Sequence, residues 1–383
     1  MRDRTSAKVA RFKDYSSAKY FDYILLGIVA LLIFFGLVML YSSSAYSASI
    51  KQGDPAYYLK RQALFVIAGG FFAMIITFIP YRLFKNFANL IYGAVFLVNV
   101  AVIFIGHSGN GSTRWISVGG FTLQPSEFMK TALIIMLAAF ISTHTKYFGD
   151  RNFNIACLGL TIFSVAPVIS SNLSTAVIIA GIGYIMTFIA SRRKKQLVAV
   201  AIVGIAGVAV ATVSRGYRAD RIIYWFHPER ATTGKGFQIL QGLYAIGSGS
   251  FFGKGLGASD TKQYLPESQN DMIFSVIVEE LGAFGAVCLI LMYIILLYRL
   301  YVVAVSAKDM FGSFLVIGVF SHLALQMILN MLVVTNLLPN TGVTLPFISY
   351  GGSSIVCTLC EIGLALSVSR QIPLENLSLE KEA

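Results

Sequence analysis

Charge is what this chain has least of: lysine, arginine, aspartate and glutamate together make 13% of its 383 residues, against 56% apolar. So little polar surface excludes a solvated, disordered polypeptide. Cysteine is also rare. Cys157, Cys288, Cys357 and Cys360 all fall inside apolar runs, where a small hydrophobic side chain is the default reading. Cys357-x-x-Cys360 has no second ligand pair and no redox-fold context, which argues against metal or dithiol chemistry. No compact His/Cys/Asp/Glu set has metal-ligand spacing, so a divalent cation, if one is used, would have to be held partly by a ligand's own phosphates. Walker and dinucleotide fingerprints are missing, as are internal repeats and any low-complexity tail.

Long apolar runs are what the chain has in their place. Runs of about 17–25 residues are long enough to cross a hydrocarbon core as helices. Breaks at charge, proline or glycine put spans near 22–43, 61–80, 83–105, 126–145, 153–171, 173–190, 197–213, 272–300, 311–336 and 353–369. The expected fold is therefore an all-α polytopic membrane protein of about ten transmembrane helices, with a large extracytoplasmic loop between the seventh and eighth. The first span is longer than a signal-peptide core and is preceded by some twenty largely polar residues, so it reads as a retained helix.

Basic residues test that reading. Arg2, Arg4, Lys8, Arg11, Lys13 and Lys19 precede the first span, and Arg82, Lys85, Lys146, Arg151, Arg192 to Lys195, Arg299, Lys308 and Arg370 fall in alternate connections. The opposite short loops hold chiefly Lys51 and Arg114. The positive-inside rule then puts both termini in the cytoplasm, and the net charge of +12 reads as topology rather than nucleic-acid binding. Residues 1–21 form a basic cytoplasmic segment, 22–370 one membrane domain with its large loop over about 214–271, and 371–383 a short cytoplasmic tail.

Three polar segments interrupt the apolar pattern on the other face. The first is Trp115-Ile-Ser-Val-Gly-Gly-Phe-Thr-Leu-Gln124-Pro125-Ser126-Glu127-Phe-Met-Lys130. Pro125 and Ser126 suit a helix start, and Glu127 and Lys130 share a helical face. They either neutralise each other or offer a cation to a phosphate, while Trp115 reads equally as an interfacial anchor. The second is the long connection from about Ser214 to Asn270. Within it, Phe237–Ala245 has amphipathic spacing suited to the lipid surface, and Gly247, Gly249, Gly253, Gly255 and Gly257 allow tight turns or close approach to a ligand. It ends at Asp271, where polar loop meets apolar helix; carboxylates there are costly unless solvated, paired or used. Glu279 and Glu280 follow, about 100° apart on a helix, so they cannot serve one ligand equally. The third segment, Leu338 to Ser354, has breaks at Pro339 and Pro346 and places Gly351, Gly352, Ser353 and Ser354 at a helix start, which fits either an anion site or ordinary caps.

Taken together, Trp115…Gln-Pro-Ser-Glu-x-x-Lys130, Gly253-Lys-Gly-Leu-Gly…Leu265-Pro-Glu-x-x-x-Asp271…Glu279-Glu-Leu-Gly, and Thr341-Gly-x-x-Leu-Pro-Phe-Ile-Ser-Tyr-Gly-Gly-Ser-Ser354 resemble the SEDS family of shape, elongation, division and sporulation proteins. The order fits across nearly the whole chain. Gly-Leu-Gly-Ala-Ser259 is more similar to the division and sporulation branch than to the related elongation branch. The resemblance implies a peptidoglycan glycosyltransferase of the bacterial cytoplasmic membrane. Such an enzyme polymerises lipid II, a disaccharide-peptide on undecaprenyl pyrophosphate, into β-1,4-linked glycan at the outer face beside a class B penicillin-binding protein. It implies Asp271 as the catalytic acid and Trp115, Glu127, Lys130 and Ser353 as substrate-binding residues. Membrane lipids are further partners; nucleic acid is not. A lipid II flippase or a scaffold without transferase activity is the alternative.

The resemblance has one gap. Where many members carry Pro-Asp-x-Gly-Thr, this chain has Ser171-Asn172-Leu173-Ser174-Thr175, so Asn172 and Ser174 read as helix caps. On chemical grounds Asp271 would take the proton of an acceptor hydroxyl. Lys130, with Arg215, Arg218 or Arg221, would hold the departing pyrophosphate, which would also hold part of any divalent cation. His322 and Gln326, four apart, suggest an interhelical hydrogen bond. Glu361, costing about 2.5–3.5 kcal/mol if ionised alone in a membrane, must be protonated, paired or wet. The small-residue span 197–213 is expected to be either tightly docked or movable.

Overall fold

A computed structural model describes residues 20–373 apart from 106, 110–111, 119–120, 170, 214–224 and 231–233. Helices fill each stretch expected to span. They are α1 Tyr23–Gln52, α2 Tyr57–Phe78, the short α3 Arg82–Asn86, α4 Ala88–Ile105, α5 Pro125–Thr143, α6 Arg151–Ile169, α7 Leu173–Ala190 and α8 Lys194–Val213, then α9 Gly234–Ser248 in the long loop, α10 Ile273–Ser306, α11 Met310–Val334 and α12 Gly352–Ser369. Among the described residues, eight of these are long and apolar enough to cross a membrane, and Ala88–Phe104 is a shorter apolar helix. The protein is a multi-pass helical membrane protein. One addition to the all-α expectation lies in the first polar segment, where β1 His107–Gly109, β2 Ser112–Val118 and β3 Phe121–Leu123 form an antiparallel sheet in the order β1-β2-β3.

Local chemistry sets the helix ends. Asp22 caps α1 by accepting from the Leu25 N–H at 2.8 Å, and Gly53, at φ 70°, closes it with a left-handed turn. Asn172 caps α7 as expected, accepting from the Thr175 N–H at 3.2 Å. Ser174 does otherwise: its hydroxyl donates to the Thr341 carbonyl. Helices α5, α11 and α12 carry the buried core, while Phe34, Ile67 and Phe104 on the outer helices stay exposed, as lipid-facing side chains should. In α8, Leu197 is the one buried residue among those described, so that helix stands off the bundle rather than docking tightly.

Two ion-pair clusters fasten the end where α1 begins. Arg299 of α10 reaches the buried Asp22 at 2.8 Å, and the Asp22 N–H donates to Ser369 Oγ of α12 at 2.9 Å. Asp309, the cap of α11, accepts from the Gly312 N–H at 2.9 Å, Arg82 Nε at 2.7 Å and the Tyr81 hydroxyl at 2.9 Å. Burial pushes the Asp309 carboxyl up, but these donors outweigh it and hold the group below its ordinary range.

The opposite end is organised by a break in α10. Gly282 has φ 70° and ψ −170°, so the helix loses its own hydrogen bonds there. The glycine-rich loop supplies them: Lys254 N–H and Gly255 N–H donate to the Glu279 and Glu280 carbonyls at 2.9 Å, and the Ala283 and Phe284 N–H groups donate to Ser250 and Phe251 carbonyls at 3.0 Å. A Cβ on Gly253 would lie 2.2 Å from the Glu280 oxygen, and one on Gly282 would lie 2.3 Å from the Phe251 oxygen. Gly253 and Gly282 thus admit close approach of backbone to backbone. Side chains complete the dock. Glu279 accepts from Lys254 at 2.8 Å, Ser259 at 2.5 Å, Thr261 at 3.0 Å and Ser248 at 3.3 Å, whereas Glu280 accepts from Ser42 at 2.6 Å and Lys262 at 3.1 Å. The two acids therefore serve different partners, as their angular separation requires.

Replacing Gly282 by alanine is expected to cost at least about 1–3 kcal/mol from backbone strain alone and to lower the melting temperature in detergent. Gly70→Ala, where an added Cβ meets nothing within 4 Å, is the control. Because Asp309 titrates lower when folded, its stabilisation is full above the unfolded value near ~3.9 and is lost as pH falls through the lower folded value. Asp309→Asn should therefore melt earlier than wild type at neutral pH, by on the order of 0.5–1 kcal/mol given the exposed Arg82 partner, with the difference closing in acid.

Candidate functional site

Three amide and imidazole side chains, His322, Gln326 and Asn330, follow one another at four-residue steps and so run up one face of α11. All are buried, and each is tied to a different element. Gln326 Nε2 donates to the Thr344 carbonyl at 3.0 Å and to its hydroxyl at 3.1 Å. That fixes the amide, so its oxygen accepts from Lys130 Nζ at 3.2 Å and from His322 Nε2 at 2.7 Å. Nε2 of His322 therefore carries a hydrogen. On the other side of the ring, Nδ1 lies 2.6 Å from Glu361 Oε2, with one proton between them, and the Thr131 hydroxyl donates to Glu361 Oε1 at 2.7 Å. Whichever atom holds that proton, the pair is neutral overall. Lys130 is matched in turn by Glu127 at 2.9 Å. Both expectations for the membrane interior are met: His322 and Gln326 bond across helices, and Glu361 is paired.

The same face of α11 holds the segment between α11 and α12. Asn330 Nδ2 donates to the Val343 carbonyl at 2.7 Å and to the Asp271 carbonyl at 2.8 Å. Tyr293 of α10 donates to the Pro346 carbonyl at 2.5 Å, and Gln62 of α2 donates to the Ser349 carbonyl at 3.3 Å while accepting from the Gly351 N–H at 3.2 Å. Phe347, buried, is held at φ 64°, a conformation a bulky residue adopts only when its surroundings enforce it. The segment is thus a re-entrant turn clamped by α2, α7, α10 and α11.

Asp271 ends the long loop one residue before Met272 caps α10, and it is 5% exposed. Gln238 of α9 donates to its Oδ1 at 3.0 Å, and a Cβ on Gly342 would stand 3.4 Å from its Oδ2. Asp271 and Lys130 are therefore joined through α11: Asn330 holds the backbone of one, and Gln326, a turn away, holds the ammonium of the other. Glu127 and Lys130 do pair, as one sequence reading had it. Ser353 accepts from the Gln124 N–H at 2.9 Å, so its hydroxyl joins α12 to the start of α5. Trp115 stands half-buried on β2, in register with His107 of β1. Arg215, Arg218 and Arg221 lie outside the described residues. Among those described, no group of three His, Cys, Asp or Glu residues stands close enough to hold a metal ion.

Sequence reasoning passed over Gln238, Asn330 and Asn340. For Gln238 the signal was there: it interrupts the side of α9 formed by Gly236, Ile239, Gly242 and Ala245, which is the buried side, while Tyr244, on the side expected to face lipid, is exposed. The small residues mark the packed face because only they admit α10 at close range; a Cβ already on Gly242 would have to share space with the Met272 side chain at 2.3 Å.

Residues 22–373 match the family profile described as cell cycle protein. Stage V sporulation protein E of Bacillus subtilis is 40% identical over 355 residues, which cover 91% of this chain and 97% of that protein. A probable peptidoglycan glycosyltransferase FtsW from Trichlorobacter lovleyi is 38% identical over 376 residues, covering 96% and 97%. Among solved structures, a chain from a study of structural coordination of polymerization and crosslinking by a peptidoglycan synthase complex superimposes with a TM-score of 0.77 at 26% identity, covering 91% of this chain and 98% of that one. The rod shape determining protein RodA of Thermus thermophilus does so with a TM-score of 0.69 at 26% identity, covering 91% and 97%.

The neutral His322–Glu361 pair makes a prediction of its own. His322→Leu strands the Glu361 carboxyl and is expected to cost about 3–5 kcal/mol, whereas His322→Leu with Glu361→Leu removes both partners and regains much of the loss. Melting temperatures of the single and double variants in detergent decide this; a double variant no more stable than the single would show the two groups to be uncoupled.

Proposed function

This chain belongs to the cell cycle protein family of FtsW, RodA and SpoVE, and from that premise we propose that it is a peptidoglycan glycosyltransferase whose general base is Asp271. The observation that carries the assignment is the placement of Asp271: a buried carboxylate at the mouth of α10, oriented by a side-chain donor from the loop and anchored through its backbone to α11. A base must be held within hydrogen-bond reach of one defined proton, and an acid fixed from two elements meets that requirement.

The substrate is lipid II. The C4 hydroxyl of the acceptor sugar gives its proton to Asp271 as its oxygen attacks C1 of the donor. The C1–O bond to diphosphate breaks, and undecaprenyl diphosphate leaves with the bonding electrons. Direct displacement at an α-linked donor yields the β-1,4 linkage with no covalent enzyme intermediate. Lys130 supplies positive charge toward the departing diphosphate, with Glu127 and Gln326 setting where that charge stands. Trp115 and Ser353 complete the substrate-binding set, Trp115 from the hairpin and Ser353 from the start of α12.

Polymerisation takes place at the outer face of the bacterial cytoplasmic membrane, in division, sporulation or shape maintenance. The distribution of lysine and arginine supports cytoplasmic termini and an outward-facing Asp271. A class B penicillin-binding protein is the partner that crosslinks the product; the likeness to a chain from a peptidoglycan synthase complex supports this choice.

Glycan synthesis from purified lipid II in liposomes, with and without a class B partner, tests the assignment. Asp271→Asn is expected to lower the rate by at least about 100-fold while its melting temperature stays within a few degrees of wild type. A folded Asp271→Asn enzyme that still polymerises would remove the base, and lipid II crossing the bilayer without polymer from any protein would favour a flippase.

A further inference from the structure

Gln238 and Asn340 occupy positions where an amide needs a reason to be. Both are about 1% exposed. A buried amide without partners costs on the order of 1–3 kcal/mol, so a helix face otherwise made of Gly236, Ile239, Gly242 and Ala245 gains nothing from a glutamine unless its hydrogen bonds are used. They are used in one direction. Gln238 Nε2 donates to Asp271 Oδ1 at 3.0 Å, and Asn340 Nδ2 donates to Gln238 Oε1 at 3.2 Å.

The order of donors follows from the acid at its end. A carboxylate only accepts, so Gln238 must present nitrogen to it and turn its oxygen away; that oxygen in turn accepts only from the nitrogen of Asn340. Flipping either amide would set oxygen against oxygen. The three groups come from three segments: Gln238 from α9, Asn340 from the re-entrant turn, Asp271 from the loop end. A reciprocal pair nearby fastens two of those regions together, Trp225 Nε1 donating to the Asn336 carbonyl at 2.9 Å and Asn336 Nδ2 donating to the Trp225 carbonyl at 3.2 Å.

We propose that Gln238 and Asn340 are positioning residues for catalysis, forming a directional amide relay that holds the Asp271 carboxylate plane. This rests on the reading of Asp271 as the base. Gln238 holds Oδ1 from one side while Gly342 stands against Oδ2, a Cβ there lying 3.4 Å from that oxygen, so the carboxylate plane is set between α9 and the re-entrant turn. Asn340 acts one step back by preventing the Gln238 amide from rotating. The relay also makes the base dependent on docking of the loop helix α9 and of the re-entrant turn at the same time.

Lipid II polymerisation by the full-length protein, with kcat and KM separated and melting temperature followed in parallel, tests this. Gln238→Leu is expected to lower kcat by about 10–100-fold with KM within about threefold, because misplacing a reacting group acts on the chemical step. Gln238→Glu, which keeps the shape and replaces the donor, should be as slow as Gln238→Leu. Asn340→Leu should lower kcat less, and in the Gln238→Leu background it should have no further effect on kcat. Two purely structural roles would multiply instead, and a folded Gln238→Leu enzyme with wild-type kcat would likewise overturn the relay. If Gln238→Leu does not fold, Asn340→Ala carries the same test, and full kcat in that variant overturns the relay. Asp271→Asn, run alongside, separates the two readings: if it is inactive while Gln238→Leu is fully active, only the relay fails, whereas activity in Asp271→Asn removes the base itself.

Discussion

An ion inside a bilayer is tolerable only when another group neutralises it, and the arrangement of this bundle follows from that constraint. Lys130 meets Glu127, His322 meets Glu361, Arg299 meets Asp22, Lys254 meets Glu279 and Lys262 meets Glu280. The pairs of His322 with Glu361 and Arg299 with Asp22 join helices distant in sequence and so dictate which are neighbours, while the two lysine pairs fold the loop back on α10. The chain of Lys130, Gln326, His322 and Glu361 runs through α5, α11 and α12, the helices that carry the core. Moving any of the three would expose a charge to hydrocarbon, which makes the polar interior a stronger specification of packing than apolar side chains that find lipid as acceptable as protein.

The acids at the loop end of α10 divide into two kinds. Glu279 and Glu280 bind lysines and hydroxyls of the loop and seal the gap opened where α10 breaks at Gly282. Their work is done in the folded state itself. Asp271 sits eight residues earlier, before the helix begins, and is addressed through Gln238, whose own oxygen is held by Asn340. A broken helix thus serves a purpose beyond its own path: it docks the loop, the loop carries α9, and α9 delivers the amide that meets Asp271.

Much of this was legible in the chain. Apolar runs located the helices because in lipid a run of that length has no other way to bond its backbone. Asn172 read correctly as a cap, and Glu361 as an acid needing a partner, since both inferences need only one residue and its surroundings. What escaped was relational. The hairpin strands around Trp115 are short, and the Gly119-Gly120 signal between β2 and β3 was visible but unread. Gly282 lies within a run that by hydropathy alone is one unbroken span; its left-handed backbone becomes necessary only when the loop is laid against it. The protein-facing side of α9 went unread because attention fell on its large apolar residues, whereas close packing on α10 selects the small ones.

The polar chain inside the bundle bears on the choice between transferase and flippase. A lipid headgroup crossing a membrane needs polar groups left available along its route. Here, Gln326, His322 and Glu361 are each about 2% exposed or less, and each is engaged by another of them or by Lys130, Thr131 or Thr344. Such a chain behaves as a strut, because opening it to a headgroup would break several charge-assisted bonds at once. Its upper end delivers a held ammonium through Gln326, and a turn farther along α11 Asn330 holds the backbone of Asp271. A rigid element with a cation at one level and a carboxylate near one end suits, on the proposed reading, a reaction in which a proton is taken and a diphosphate released at a single membrane face.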